Sequence, residues 1–253
     1  RTLRLLAFVI SVGLTACGGG GGSGSNGPVT STNTFDIRAG HARLTANGFS
    51  TTFAVSGTCS GTFSLTSGPA TTSTVFEGAA ALSRSSVGTL SVSNCNPASN
   101  VGTTTSYFDS NYVPLGYSVV GGNYAVWASP PSFPVAARVG DVAVAGTVNK
   151  YTNSTKSTSA GTEENSYVIE ADTVTTAIVN LISKNYNAAH TLTSTEQDRY
   201  RIAADGSLTL ISIDIQYANG STTHLVMNKT PLRRHTKQPC ENHGCFYLER
   251  ARP

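Results

Sequence analysis

"SLTLISIDIQY", residues 207–217, alternates apolar and polar side chains over most of its length. Successive side chains of a strand point to opposite faces. Leu208, Leu210, Ser212, Asp214 and Gln216 therefore share one face, and Thr209, Ile211, Ile213, Ile215 and Tyr217 the other. The second face is the more apolar and is the expected core face. Asp205-Gly206 precedes the stretch and Asn219-Gly220 follows it. Both dipeptides suit type I′ hairpin turns, whose two central residues take positive φ. A strand between two such turns belongs to an antiparallel meander. The pattern continues upstream in "DVAVAGTVNKY", "SYVIEAD", "VTTAIVNLISK" and "DRYRIAAD", and downstream in "THLVMNK". Val174, Ala177, Ile178, Leu181 and Ile182 also fall at helical spacing, but β-branching and the flanking strands favour a strand there.

Nearer the N-terminus, "TTFAVSG", "TFSLTSG", "STVFEGAAAL" and "GTLSVSN" are short alternating runs bounded by Gly, Pro, Asn or Ser, as strands with tight turns require. Phe35-Asp36-Ile37 reads as the first of them. Residues 106–134 are rich in aromatics and prolines and contain Gly121-Gly122, which marks an irregular connection. The expectation is an all-β protein of two small antiparallel units: a sandwich-like unit over 34–105 and a β-meander over 135–230. Composition agrees, with 12% charged residues and abundant Ser and Thr.

The first residues are of another kind. Arg1 and Arg4 precede the apolar run "LLAFVISVGL", which ends in Leu14-Thr15-Ala16-Cys17. This is the layout of a secretory signal peptide over 1–16; the run is shorter than the ~20 residues that span a bilayer as a helix. Leu14-Thr15-Ala16-Cys17 resembles the lipobox of bacterial lipoproteins. That resemblance implies diacylglyceryl transfer to the Cys17 thiol, cleavage before it and acylation of the new N-terminus, palmitate included. Three acyl chains would hold the protein firmly, since two already suffice. In that family an Asp after the cysteine commonly signals inner-membrane retention; Gly18 stands here, which implies the outer membrane, on its periplasmic or its surface-exposed face. The chain begins at Arg1, and its natural start is expected upstream. Residues 17–33 are Gly- and Ser-rich and read as a tether. The whole is similar in style to small β-rich envelope lipoproteins of Gram-negative bacteria.

Beyond Cys17 four cysteines remain, and export permits disulfides. Local order favours Cys59 with Cys95 and Cys240 with Cys245. The net charge is +3, but Arg1 and Arg4 belong to the leader and the tail 231–253 is basic, so the body is near neutral. Nucleic-acid binding needs a basic face and is not expected. His235, Cys240, His243 and Cys245 lack the paired spacing of a zinc site, so no metal is expected, and no cofactor. Neither a phosphate loop nor a Gly-x-Ser-x-Gly elbow is present, and His41, His190 and His224 stand alone. Glu163, Glu164, Glu170 and Asp172 could pair for glycoside hydrolysis, though exposed loop acids are the plainer reading. Tyr112, Tyr117, Tyr124 and Trp127 are the candidate ligand-binding residues, because such rings stack on sugars or anchor proteins; they equally suit packing between two β units. The expectation is a membrane-tethered envelope lipoprotein, not an enzyme, acting as a structural or binding module for an envelope protein or polysaccharide. The alternative is a periplasmic hydrolase acting on a glycan or ester.

Overall fold

Asp36 starts a helix rather than continuing a strand. Its Oδ1 accepts the backbone N–H of Ala39 at 2.8 Å, an N-cap that satisfies one of the free amides of the first turn. In the computed structural model, which describes residues 28–95, 98–218 and 223–229, helix α1 runs Ile37–Asn47 and stops at Gly48, whose φ of 68° favours glycine. The strands then follow in chain order: β1 (Phe49–Gly57), β2 (Ser60–Ser67), β3 (Thr72–Phe76), β4 (Ala79–Ser93), β5 (Ser99–Phe108), β6 (Pro114–Val119) and β7 (Tyr124–Trp127). After a loop come β8 (Val142–Tyr151), β9 (Ser159–Ala171), β10 (Thr176–Tyr186), β11 (Leu192–Ala203), β12 (Leu208–Tyr217) and β13 (His224–Lys229).

These strands do not make two units. Each pairs antiparallel with its neighbour, β1 pairs with β13, and β2 skips β3 to pair with β4, so that twelve strands close into one barrel with β3 as a hairpin flap on β4. The expected division into a sandwich and a meander fails because β6 and β7 join the wall instead of separating two bodies: Tyr117 pairs with Ala125, and Trp127 with Val148 of β8. Closure leaves no edge along the barrel proper.

On β1 and β2 the barrel keeps its large apolar residues inside. Ser50, Thr52, Ser64 and Thr66 point outward from β1 and β2 and hydrogen-bond across the strands (Ser50 to Thr66 at 2.9 Å, Thr52 to Ser64 at 3.2 Å), while Phe53 and Val55 are buried. In β12 the alternation breaks. Arg199 pairs with Ser212 but Tyr200 pairs with Leu210, leaving Ile211 as the extra residue of a bulge. Leu208 and Leu210 therefore join Ile213 and Ile215 on the inner side; the expected inner face was right only beyond the bulge. The Asp205-Gly206 turn is also of another type. Only Gly206 has positive φ, the Gly206 N–H donates to the Ala203 carbonyl at 2.9 Å, and the Ala203 N–H donates to the Ser207 carbonyl at 3.0 Å, which makes a three-residue loop with glycine in the left-handed position.

One end of the barrel is plugged. Phe35 and Ile37 enter it and pack on Tyr167, Ile169, Val179 and Ile202, and Gly40 of α1 lies so close to the β11–β12 turn that a Cβ there would meet the Gly206 carbonyl at 2.5 Å. Val29 bridges to Asp172, so the chain enters at this same end. The hairpins β1–β2, β4–β5, β6–β7, β8–β9 and β10–β11 lie at the other end, where Cys59 and Cys95 form a disulfide with Cα atoms 5.7 Å apart. The expected signal peptide over 1–16, Cys17, the expected tether up to residue 27, Asn219-Gly220, Cys240, Cys245 and the tail 231–253 lie outside the described residues.

Candidate functional site

Inside the barrel, between the plug and the hairpin end, are two adjoining cavities. One, of about 320 Å³, is lined mainly by apolar side chains, among them Phe63, Leu65, Leu90, Ile213, Leu225 and Met227. Glycines widen it: Gly88 and Gly102 stand side by side in β4 and β5, and a Cβ on Gly102 would meet nothing within 4 Å. The other, of about 440 Å³, is lined by Thr104, Ser106, Tyr117, Glu163, Ser183, Asn185, Glu196 and Asp198. Thr104 and Glu196 line both, so the two form one lumen with an apolar and an acidic half. Concave, mostly apolar space with a few converging polar groups is the usual form of a small-molecule site.

The acids reach the lumen by strand alternation. Glu196, Asp198, Tyr200 and Ile202 share one face of β11, so the two carboxylates continue the same row as buried Ile202. Glu163 arrives from β9. Its Oε2 accepts the Tyr117 hydroxyl at 2.9 Å and its Oε1 accepts the Asn165 amide at 2.9 Å; Asn165 in turn accepts from Ser183 at 2.7 Å. This network fixes Glu163 in place. Burial, followed by the charge of Glu163, pushes the Glu196 carboxyl up to about 7. Burial, then Glu196 and Glu163, hold Asp198 well above the ordinary carboxylate range. Two carboxyls buried this close to each other and to Glu163 resist ionising together. Tyr117 is raised in the same way, by burial and then by Glu163.

Two cations face inward beside the lumen without lining either cavity. Lys150 donates to Asn185 Oδ1 at 2.8 Å, and Arg84 lies 5.2 Å over the Phe108 ring with two of its N–H-bearing nitrogens unpartnered. His41, stacked on Phe133 at 5.2 Å, is driven down to about 4 by burial and then by Arg84, so it sits in the plug as a neutral ring. Among the described residues no group of three or more His, Cys, Asp or Glu is arranged to hold a metal ion.

The four aromatic candidates do not meet. Tyr117 alone lines the lumen. Tyr124 points outward from the next strand, its ring 5.5 Å from Phe76 and its hydroxyl bonded to Glu77 at 2.6 Å. Tyr112 occupies a tight turn with φ of 62° after β5, and Trp127 lies against Gly146. The carboxylates separate as well. Tyr186 donates to Glu164, Glu170 pairs with Arg199, and Asp172 with Arg201, so only Glu163 of the four faces the lumen cavity. Glu196 and Asp198 were overlooked in the sequence. Their spacing of two residues, in step with Tyr200 and Ile202, was the signal that could have found them.

Comparison with family models, with characterised proteins and with solved structures finds no match for this chain, so the reading of its site rests on the geometry of the lumen alone.

Proposed function

We infer that the protein is a membrane-tethered, non-catalytic binding module whose barrel holds a small amphipathic molecule. The observation that carries this is the lumen itself: an apolar cavity continuous with a polar one, inside a wall whose outer face is mainly polar along β1, β2 and β11. Outward positions on β1, β2 and β11 bear Ser, Thr, Gln and Arg, where a lipid-facing barrel would carry an apolar belt. The binding surface is then the inside of the protein. A neutral apolar fluorophore such as N-phenyl-1-naphthylamine should bind with enhanced emission. Gly102→Leu, which fills open space in the cavity, should reduce that binding at least tenfold with little change in stability. Equal binding by both proteins would place the dye elsewhere and remove the reading.

The tether belongs to the same proposal and is supported by the lipobox-like Leu14-Thr15-Ala16-Cys17 and the glycine run after it. Intact mass of protein from a bacterial membrane fraction should show a chain beginning at Cys17 plus three acyl chains, lost in Cys17→Ser. An unmodified chain cut elsewhere would overturn the anchor.

A second reading, hydrolysis of a glycan or ester, is favoured by one observation: Glu163 and Glu196 line one cavity in different environments, as an acid and a base must. Turnover of p-nitrophenyl glycosides or esters, abolished in Glu196→Gln, would establish it; its absence leaves the binding module.

A further inference from the structure

Building on the binding reading, we propose that the occupant of the lumen is an amphipathic amine, with its apolar chain along the Phe63, Leu90, Ile213 and Met227 side and its ammonium group held by Glu196 and Asp198.

Three observations support this. Asp198 is among the residues that line the larger cavity, and its buried Oδ1 has no hydrogen-bond partner. A buried carboxylate oxygen left unpaired is costly, and a ligand bearing N–H donors would satisfy it. The acids also lack a counterion from the protein: among the described residues no ion pair reaches Glu163, Glu196 or Asp198. Lys150 feels the charge of Glu163 but bonds to Asn185, and Arg84 lines neither cavity. Finally, Glu196 lines both cavities, so a head group on it leaves an attached alkyl chain pointing into apolar space. An inorganic cation fits less well, since among the described residues no three His, Cys, Asp or Glu side chains are arranged to hold one, and it would leave the apolar half unused.

The raised Glu196 carboxyl gives the site a signature. Around the pair stand Glu163, Tyr117, Tyr200 and Tyr217, with Lys150 and Arg84 as the inward-facing cations. Glu196, pushed up to about 7, is the group that ionises near neutrality. An arriving ammonium favours the ionised Glu196 and displaces its proton to the solvent, so binding below neutrality releases protons.

The test titrates the full chain with n-decylamine, n-decanol and decanoate by calorimetry. At about pH 8 decylamine should bind at least about tenfold more tightly than decanol, as charge-assisted hydrogen bonds imply, and decanoate most weakly. In Glu196→Gln the preference for amine over alcohol should fall to about threefold or less. Wild-type protein titrated at about pH 6.5 in buffers of different ionisation enthalpy should release protons to the buffer on binding decylamine and none on binding decanol, a count that needs no variant. Equal affinity for amine and alcohol, or equal proton counts, overturns the amine while leaving the binding module standing. If none of the three binds, both fall.

Discussion

Replacing Glu196 with glutamine separates the electrostatic cost of the lumen from its packing. The Glu196 carboxyl moves from its ordinary 4.5 to about 7 on folding, first through burial and then through Glu163. The folded protein thus keeps a proton that the unfolded chain loses near pH 4.5. Stability from this group is complete below that pH and is lost as pH rises toward 7, by about 3 kcal/mol at most. Glutamine fills the same space without a charge. The variant should match wild type at about pH 5, exceed it by up to about 3 kcal/mol at about pH 8, and show a flatter profile between. Asp198, still buried, keeps part of the slope. Acids held low by partners, such as Asp172 beside Arg201 and Glu77 beside Lys156, act at lower pH and are common to both proteins. Urea unfolding followed by the fluorescence of Trp127, the single tryptophan, gives the profile. Parallel curves for the two proteins, or wild-type stability rising from pH 5 to 8, would refute the reasoning.

Two further substitutions test the frame around the lumen. Cys59→Ser opens a bond that spans 36 residues between the β1–β2 and β4–β5 hairpins, and the lost constraint on the unfolded chain should lower the unfolding free energy by about 3–4 kcal/mol; a loss below about 1 kcal/mol in urea melts would mean the bond is incidental. Gly40→Ala should destabilise by about 1–3 kcal/mol, although alanine normally favours a helix by up to about 1 kcal/mol, because its methyl would meet the Gly206 carbonyl at 2.5 Å. A raised melting temperature would show that α1 can shift away from the turn without cost.

Strand content was legible from alternation, whereas closure was not. The β1–β13 pairing joins Phe53 to Lys229, and local periodicity carries no information on partners so far apart. Residues 106–134 looked like a boundary because Pro114, Gly121 and Gly122 punctuate them, yet short strands interrupted by turns are enough to complete a wall. In β12 the apolar residues occupy both faces of the written sequence, and only the bulge at Ile211 brings Leu210 and Ile213 to the same side. α1 was missed because its cap, Asp36, lies between apolar Phe35 and Ile37 and imitates alternation, while the helix itself is short and weakly patterned. The acids of the lumen were hidden differently. Charge is normally assigned to solvent, so Glu196 and Asp198 were passed over and Glu163 was read as exposed; only their phase with buried Ile202 marks them as internal.

The plug and the chain's entry at Val29 share one end of the barrel, while the hairpins stand at the opposite end. If Cys17 moors the protein to a bilayer, the moored end is the corked one, and traffic in and out of the lumen is directed away from the lipid. Cargo would then come from, and be handed to, the aqueous side or a partner standing there. Under the proposed anchored binding module, the placement of one short helix would thus give the lumen a direction.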